Sequence, residues 1–163
     1  MKLPPGGDID LLMIGKTGHG KSSTGNSILG QDLFNCSESG ESETSKNGVG
    51  WAEIDGRTIK VVDTPGVCDT RNDAASVDLA IEYISTAIAY CPEGFHALLL
   101  LIRFPTRMTE EEKTTIELLK RVLGENILKS HCIVVFTYGD VFYRKMAAKE
   151  TTFDEWCKRQ VGF

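Results

Sequence analysis

The hydrophobic pattern of the chain consists of short apolar runs that alternate with segments in which apolar residues recur every three or four positions. Short runs bounded by turn residues predict β-strands, and the longer periodic segments predict amphipathic helices. The five predicted strands are Asp8–Ile14, Val49–Ile54, Thr58–Val62, Ala97–Ile102 and Cys132–Phe136. Asp55-Gly56, between the second and third runs, is a typical two-residue hairpin signal, so these two strands are predicted to be antiparallel.

Four segments carry the boundary residues of helices. The segment Lys21–Leu29 is closed by Gly30, a residue that commonly ends helices. Ser76 is predicted to be the N-cap of a second helix. Thr109 and Thr152 precede the third and fourth helices, and each is followed three residues later by a glutamate, which is the spacing of a capping box.

Strands flanked by helices predict an α/β fold in which a mostly parallel sheet, with one antiparallel hairpin strand, is covered on both faces. The 163 residues suit a single domain that spans positions 1–163. Ligands of such sheets bind at the carboxyl ends of the strands, so the motifs at these ends carry the functional prediction.

The segment after the first predicted strand has the full pattern G-x-x-x-x-G-K-[ST] of a phosphate-binding loop, and it opens a predicted helix as this motif requires. Its residues, together with the serine that follows, are Gly15, Lys16, Thr17, Gly18, His19, Gly20, Lys21, Ser22 and Ser23. Backbone N–H groups would surround the phosphates, Lys21 would contact the β and γ phosphates, and Ser22 would ligate Mg²⁺. His19 is interpreted as a variable loop position rather than as a catalytic base.

A second motif on the phosphate side begins at Asp63, which ends an apolar strand and can hold Mg²⁺ through water. The backbone N–H of Gly66 can sense the γ-phosphate. The polar loop after the first helix should supply another Mg²⁺ ligand. Thr44 is the first candidate and Ser42 the second, the alternative being that both are solvated hydroxyls. Val67 stands where several GTPases place a water-orienting glutamine, so we expect slow intrinsic hydrolysis.

The residues after the fifth predicted strand occupy the position of the guanine-specificity motif, usually Asn-Lys-x-Asp. Asp140 can accept two hydrogen bonds from guanine, whereas adenine lacks that pair of donors. Thr137 replaces the asparagine, and Tyr138 replaces the lysine whose stem covers the base, although a tyrosine ring could stack instead. The alternative is an ordinary turn at the end of a strand, and the location favours base contact.

Composition and charge exclude several classes of protein. The net charge is −5 and the basic residues are scattered, which argues against nucleic-acid binding and, weakly, against docking on an anionic membrane. We find no apolar run long enough to span a bilayer and no signal-peptide core, so we expect no transmembrane segment and a cytoplasmic location. The five cysteines have no metal-ligand spacing and are expected to be reduced thiols.

Three motifs resemble the GIMAP family, the GTPases of immunity-associated proteins, whose domain is of the AIG type. They are the extended phosphate loop Gly15–Gly30, the segment Asp63–Thr70, and a box made of Phe95–Leu101 and Arg107–Glu112. The resemblance runs from about Asp8 to Trp156, and chloroplast import-receptor GTPases are a related, weaker match.

This resemblance implies a P-loop GTPase-like three-layer sandwich that binds GTP or GDP with Mg²⁺ and forms a homodimer through its nucleotide face. It implies that Arg107 can act as an arginine finger for the partner subunit, the alternative being an exposed loop cation. Some members of the family lie at organelle membranes through C-terminal segments. The chain stops at Phe163, before the expected last strand and helix, so it resembles a truncated domain whose run Cys132–Phe136 is an exposed edge strand.

The sequence therefore predicts a guanine-nucleotide-binding switch domain that self-associates in the GTP state and hydrolyses GTP slowly or upon dimerisation. One alternative is a nucleotide-dependent scaffold without significant hydrolysis, which Val67 favours. The other is an adenine-using P-loop enzyme such as a small kinase, which Asp140 disfavours. Such a kinase would also need an acceptor site and an arginine-rich lid, and the sequence shows neither.

Overall fold

A mixed five-stranded sheet forms the centre of the structure, a computed structural model that describes residues 7–36, 48–66, 74–104, 109–146 and 151–158. The elements in chain order are β1 (Ile9–Gly15), α1 (Lys21–Leu29), β2 (Gly48–Ile54), β3 (Arg57–Asp63), α2 (Ala74–Ala89), β4 (Ala97–Arg103), α3 (Glu110–Leu123), α4 (Glu125–His131), β5 (Cys132–Thr137), α5 (Gly139–Met146) and α6 (Phe153–Lys158). The strand order is β2-β3-β1-β4-β5, and every pair except β2–β3 is parallel. The predicted α/β fold class is confirmed.

Two hydrophobic cores cover the two faces of the sheet. Leu12 and Ile14 of β1 pack with residues of α2 and α3, such as Ile84, on one face. Met13, between them, belongs to the core on the other face, which includes Leu29 of α1. Successive strand residues point to opposite faces, so the almost continuous apolar sequence of β1 serves both cores and gives the three-layer arrangement.

The hairpin between β2 and β3 turns at the predicted dipeptide. Asp55 has φ 51° and Gly56 has φ 73°, and two consecutive positive φ values are what the favoured two-residue hairpin turn requires. Ile54 and Arg57 pair directly across the turn. This hairpin is the antiparallel part of the sheet that the sequence predicted.

Most helix boundaries follow the predicted signals. The Thr109 hydroxyl accepts a hydrogen bond from the Glu112 N–H, and the Glu112 carboxylate accepts one from the Thr109 N–H, which confirms the capping box of α3. The prediction that Ser76 caps α2 is wrong, because the helix begins at Ala74 and Ser76 lies in its first turn. Alanines at positions 74 and 75 favour helix strongly enough to extend it. Among the described helices, none is long and apolar enough to cross a membrane.

Aromatic rings hold α5 and α6 against the carboxyl ends of β4 and β5. Phe104, which follows β4, lies 5.0 Å from Phe142 of α5 and 5.1 Å from Trp156 of α6, measured between ring centroids. In β5, Ile133 is 54% exposed and Val134 is 37% exposed. Within the described ranges β5 pairs only with β4, so the predicted exposed edge strand is observed there.

Candidate functional site

The site is built around the loop that connects β1 to α1. Gly18 and Gly20 have φ values of 74° and 80°, a left-handed conformation that glycine adopts without steric penalty. Gly15 lies so close to β4 that an added Cβ would be 2.6 Å from the Leu101 carbonyl oxygen. Gly20 is the N-cap of α1 and has no side chain to occupy the first N–H groups of the helix, which leaves them for an anion.

Lys21 places its ammonium group inside this loop. The residue is only 7% exposed, and its Nζ donates hydrogen bonds to the carbonyl oxygens of Gly15, at 2.9 Å, and Lys16, at 3.1 Å. Thr17 of the same loop is half-buried. A fixed positive charge among backbone N–H groups is an arrangement suited to phosphate oxygens.

Ser22 and Asp63 meet at the adjacent carboxyl ends of β1 and β3. The Ser22 hydroxyl donates a hydrogen bond of 2.7 Å to Oδ2 of Asp63, whose side chain is almost fully buried. The other carboxylate oxygen, Oδ1, is buried and has no hydrogen-bond partner within the described part of the chain. Burial raises the pKa of Asp63, while the Ser22 hydrogen bond and the Lys21 charge oppose that rise.

These two residues fit a magnesium ion. A hydroxyl oxygen and a carboxylate oxygen without a partner are the hard donors that Mg²⁺ prefers, and each would occupy one position of its shell, directly or through water. A buried carboxylate that lacks one hydrogen bond is costly to keep unless a ligand satisfies it. The geometry therefore supports the sequence prediction that Ser22 and Asp63 face the metal.

We expect Asp63→Asn to change how stability depends on pH. Burial raises the Asp63 pKa in the folded chain, so wild-type stability should fall as pH rises from the ordinary carboxyl pKa through the folded-state pKa. The variant lacks this ionisation. Its stability relative to wild type should therefore improve as pH rises from the ordinary carboxyl pKa through the folded-state pKa of Asp63.

Urea unfolding of the ligand-free chain at several pH values measures this difference, and Asp154→Asn, at an exposed carboxylate of α6, is the control. A difference between Asp63→Asn and wild type that does not vary with pH would contradict the prediction.

His19 faces the core rather than the open side of the loop. It is 8% exposed, and its Nδ1 lies 3.3 Å from the Leu101 carbonyl oxygen and 3.7 Å from Oε1 of Glu112. Burial lowers the pKa of His19, while the Leu101 carbonyl and Glu112 oppose that decrease. These contacts support the interpretation of a loop position without a base role. Sequence reasoning missed Glu112 as its neighbour, because the only signal there was the capping box.

The proposed base motif divides into two parts. Thr137 and Tyr138 come against the phosphate loop: the Thr137 methyl lies 3.5 Å from where a Cβ of Gly20 would stand, and the Tyr138 hydroxyl is 3.4 Å from the Gly18 carbonyl oxygen. Asp140 lies in the first turn of α5, where its exposed carboxylate forms a 2.7 Å ion pair with Arg144. In the structure Asp140 thus pairs with its own helix, whereas Thr137 and Tyr138 contact the phosphate loop.

A cavity of about 450 Å³ opens between α1 and β5, next to the phosphate loop. It is lined by Gly20, Ser23, Thr24, Ser27, Val135, Phe136, Thr137 and Tyr138. Gly20 and Ser23 are the members of the predicted loop set that border it.

Several of the predicted site residues lie outside the part of the chain that the structure describes. Thr44, Ser42, Val67 and Arg107 lie outside the described residues, so their roles stay predictions. Gly66 is the last described residue of its segment, and it is half-buried near the carboxyl end of β3.

Comparisons with known proteins agree with this arrangement. The model of the AIG1 family matches residues 9–159. Immune-associated nucleotide-binding protein 7 of Arabidopsis thaliana is 37% identical over 150 residues, which cover 89% of this chain and 45% of that protein. Immune-associated nucleotide-binding protein 10 of the same plant is 39% identical over 132 residues, 80% of this chain and 28% of that protein. The chain therefore spans less than half the length of these relatives.

Among solved structures, the crystal structure of Toc33 from Arabidopsis thaliana in complex with GDP and Mg²⁺ superposes with a TM-score of 0.65 and 21% identity, covering 91% of this chain and 66% of that one. At this level of identity the superposition establishes a common fold. The fold is thus P-loop GTPase-like, as the family resemblance implied.

Proposed function

Because this chain belongs to the AIG1 family, we propose that it is a guanine-nucleotide-binding switch domain that binds GTP or GDP with Mg²⁺. The observation that carries the proposal is the convergence of Lys21, Ser22 and the buried Asp63 on one loop at the carboxyl ends of β1 and β3. Two relatives are named as nucleotide-binding proteins, and Toc33, which has the same fold, was crystallised with GDP and Mg²⁺.

Each residue of the site would act through a property that its geometry provides. The Lys21 ammonium would leave or share its carbonyl partners to neutralise phosphate charge, and the N–H groups of Gly18 to Ser22 would orient the phosphate oxygens. Ser22 and Asp63 would hold Mg²⁺, which when bound draws negative charge from the phosphates. Thr44 and Gly66 would complete the metal shell and the contact to the γ-phosphate.

We also propose that the chain forms a homodimer through its nucleotide face in the GTP state. Arg107 would then contribute a guanidinium to the partner's site, and this charge would compensate for Val67, which cannot orient water. Val67 equally favours a scaffold that binds nucleotide without turnover. Hydrolysis per chain that rises with protein concentration supports the dimeric enzyme, whereas a constant negligible rate supports the scaffold.

Guanine selectivity is expected to depend on Asp140. Its carboxylate can accept two hydrogen bonds from guanine, so Asp140→Ala should weaken GDP binding about 30-fold, the loss expected for hydrogen bonds to a charged group. ATP should displace GDP poorly from the wild-type chain. It should displace GDP at least as readily from the Asp140→Ala variant. Titration with fluorescent GDP and a non-hydrolysable GTP analogue in Mg²⁺, with ATP as competitor, measures both effects.

Two controls separate the carboxylate's role from side effects. Arg144→Ala removes the ion pair that Asp140 makes in the structure while keeping the carboxylate, and it should retain GDP affinity. Asp154→Ala makes the same change as Asp140→Ala, but in the first turn of α6 instead of α5, so it controls for the loss of a carboxylate at the start of a helix. Equal displacement of GDP by ATP, or unchanged GDP affinity in Asp140→Ala, would overturn the guanine assignment and leave a P-loop protein of other specificity.

A further inference from the structure

The ring of Tyr138 is restrained from two directions at the edge of the phosphate loop. The guanidinium carbon of Arg103 lies 4.2 Å from the ring centroid, and the Tyr138 hydroxyl donates a hydrogen bond of 3.4 Å to the Gly18 carbonyl oxygen. Tyr138 nevertheless stays 41% exposed as a residue. It is therefore fixed in position without being enclosed, which leaves surface for a ligand.

Sheet pairing explains why Arg103 reaches this ring. Arg103 and Thr137 are register partners at the carboxyl ends of β4 and β5, so Arg103 lies beside the residue that follows Thr137. Leu101, two residues earlier on the same face of β4, lies against Gly15 of the phosphate loop. Strand alternation therefore brings the Arg103 side chain to the side of the sheet that carries the loop.

The backbone of Tyr138 is held in a conformation that tyrosine rarely adopts. Its φ is 58°, in the left-handed region, which is strained for a non-glycine residue. Strain of this kind persists when neighbouring contacts fix the residue and is concentrated at ligand sites. Here the fixing contacts are those to Arg103 and Gly18.

The restrained ring borders the cavity of about 450 Å³ between α1 and β5. Arg103 covers one face of the ring, so only the other face is available for stacking. A base stacked on an aromatic ring contributes binding free energy in nucleic-acid complexes, and a ring that is already held in place loses less conformational entropy when the base stacks on it.

We propose that Arg103 is a positioning residue for the nucleobase: it holds Tyr138 as the stacking wall of the base site, and the Tyr138 hydroxyl links that wall to the phosphate loop at Gly18. The inference rests on the proposed nucleotide-binding function and adds a determinant outside the loop motifs. Arg103 touches neither base nor phosphate in this role, because it acts through the ring.

The test compares a ligand that has a base with a ligand that has none. Calorimetric affinities for GDP and for inorganic pyrophosphate, both with Mg²⁺, would be measured for wild type, Arg103→Leu, Arg103→Lys and Tyr138→Phe. Arg121→Leu makes the same chemical change at an exposed arginine near the far end of α3. Thermal unfolding of each variant shows whether it is folded.

Arg103→Leu should weaken GDP binding about 10-fold while pyrophosphate affinity stays within about 2-fold of wild type. Arg103→Lys should lose only about 3-fold, because a lysine ammonium retains part of the attraction to the ring. Tyr138→Phe keeps the ring and loses the link to Gly18, so we expect a GDP loss of about 2-fold. Arg121→Leu should behave as wild type.

The outcomes distinguish failure of this inference from failure of the proposed function. A wild-type chain that binds neither GDP nor pyrophosphate contradicts the proposed function itself. Tight GDP binding that is unchanged in Arg103→Leu overturns only the role of Arg103. Parallel losses of GDP and pyrophosphate affinity in a folded Arg103→Leu variant would likewise overturn it, since they would show damage to the phosphate loop.

Discussion

The Lys21→Met chain is expected to bind GDP about 500-fold more weakly than the wild-type chain, the largest loss of affinity among the substitutions considered. Methionine keeps most of the length and the apolar stem of lysine but removes the ammonium group. That group is held inside the loop by two carbonyl oxygens, at 2.9 Å and 3.1 Å, and it is the buried cation that would face the phosphates. Fluorescent GDP titration in Mg²⁺ measures the loss.

The expected loss has to be separated from damage to the fold. Lys21→Met leaves two carbonyl oxygens without this donor, so its free energy of unfolding should fall by about 1–2 kcal/mol. The GDP titration is therefore carried out at a temperature well below the unfolding transition of the variant. Lys113→Met, at an exposed lysine of α3, is the matched control and should bind GDP normally. A folded Lys21→Met chain whose GDP affinity stays within about 10-fold of wild type would contradict the role of Lys21.

Gly15→Ala is expected to lower the free energy of unfolding by about 3 kcal/mol, because the added methyl would overlap the backbone of β4. The ideal Cβ position is 2.6 Å from the Leu101 carbonyl oxygen and 3.2 Å from the Leu101 Cβ. Backbone atoms in the middle of a sheet cannot move aside as a flexible side chain can. Either β1 and β4 separate or the loop shifts, and both disturb the site.

The control for Gly15→Ala is an alanine substitution at a glycine that has a positive φ but free space around its Cβ position. Gly94 has φ 93°, and no atom lies within 4 Å of its ideal Cβ position among those described. Gly94→Ala should therefore cost only about 1 kcal/mol, from backbone strain alone. Urea unfolding of both variants gives the comparison, and equal costs would show that the approach of β1 to β4 is not the constraint.

Local patterns predicted most of the secondary structure. The hairpin at Asp55-Gly56 and the capping box at Thr109 depend on interactions within a few residues, so the sequence contains the whole signal. Helix α4 was missed because none of its residues is fully buried: Leu128 packs against a core but Ile127 is exposed, so this short segment shows little apolar periodicity. Helix α5 was missed because its first residues, Gly139 and Asp140, were interpreted as part of a turn motif.

The candidate site was predictable where one continuous motif specifies it. The phosphate loop, Lys21 and Ser22 follow from spacing alone, and Asp63 follows from its place at a strand end. The contact between Arg103 and Tyr138 was not predictable, because it depends on the register of β4 against β5. The same is true of His19 and Glu112, which meet only after α3 has packed beside the loop.

The dependence of the phosphate loop on β4 has a consequence for the order of folding. Gly15 and His19 both contact Leu101, and His19 is separated from it by 82 residues in the sequence. Contacts between residues so distant form late, because the entropy of closing a long loop must be overcome first. During synthesis from the N-terminus the loop sequence emerges long before its support. A nucleotide can therefore stabilise the nascent chain only after β4 has been made and has paired with β1.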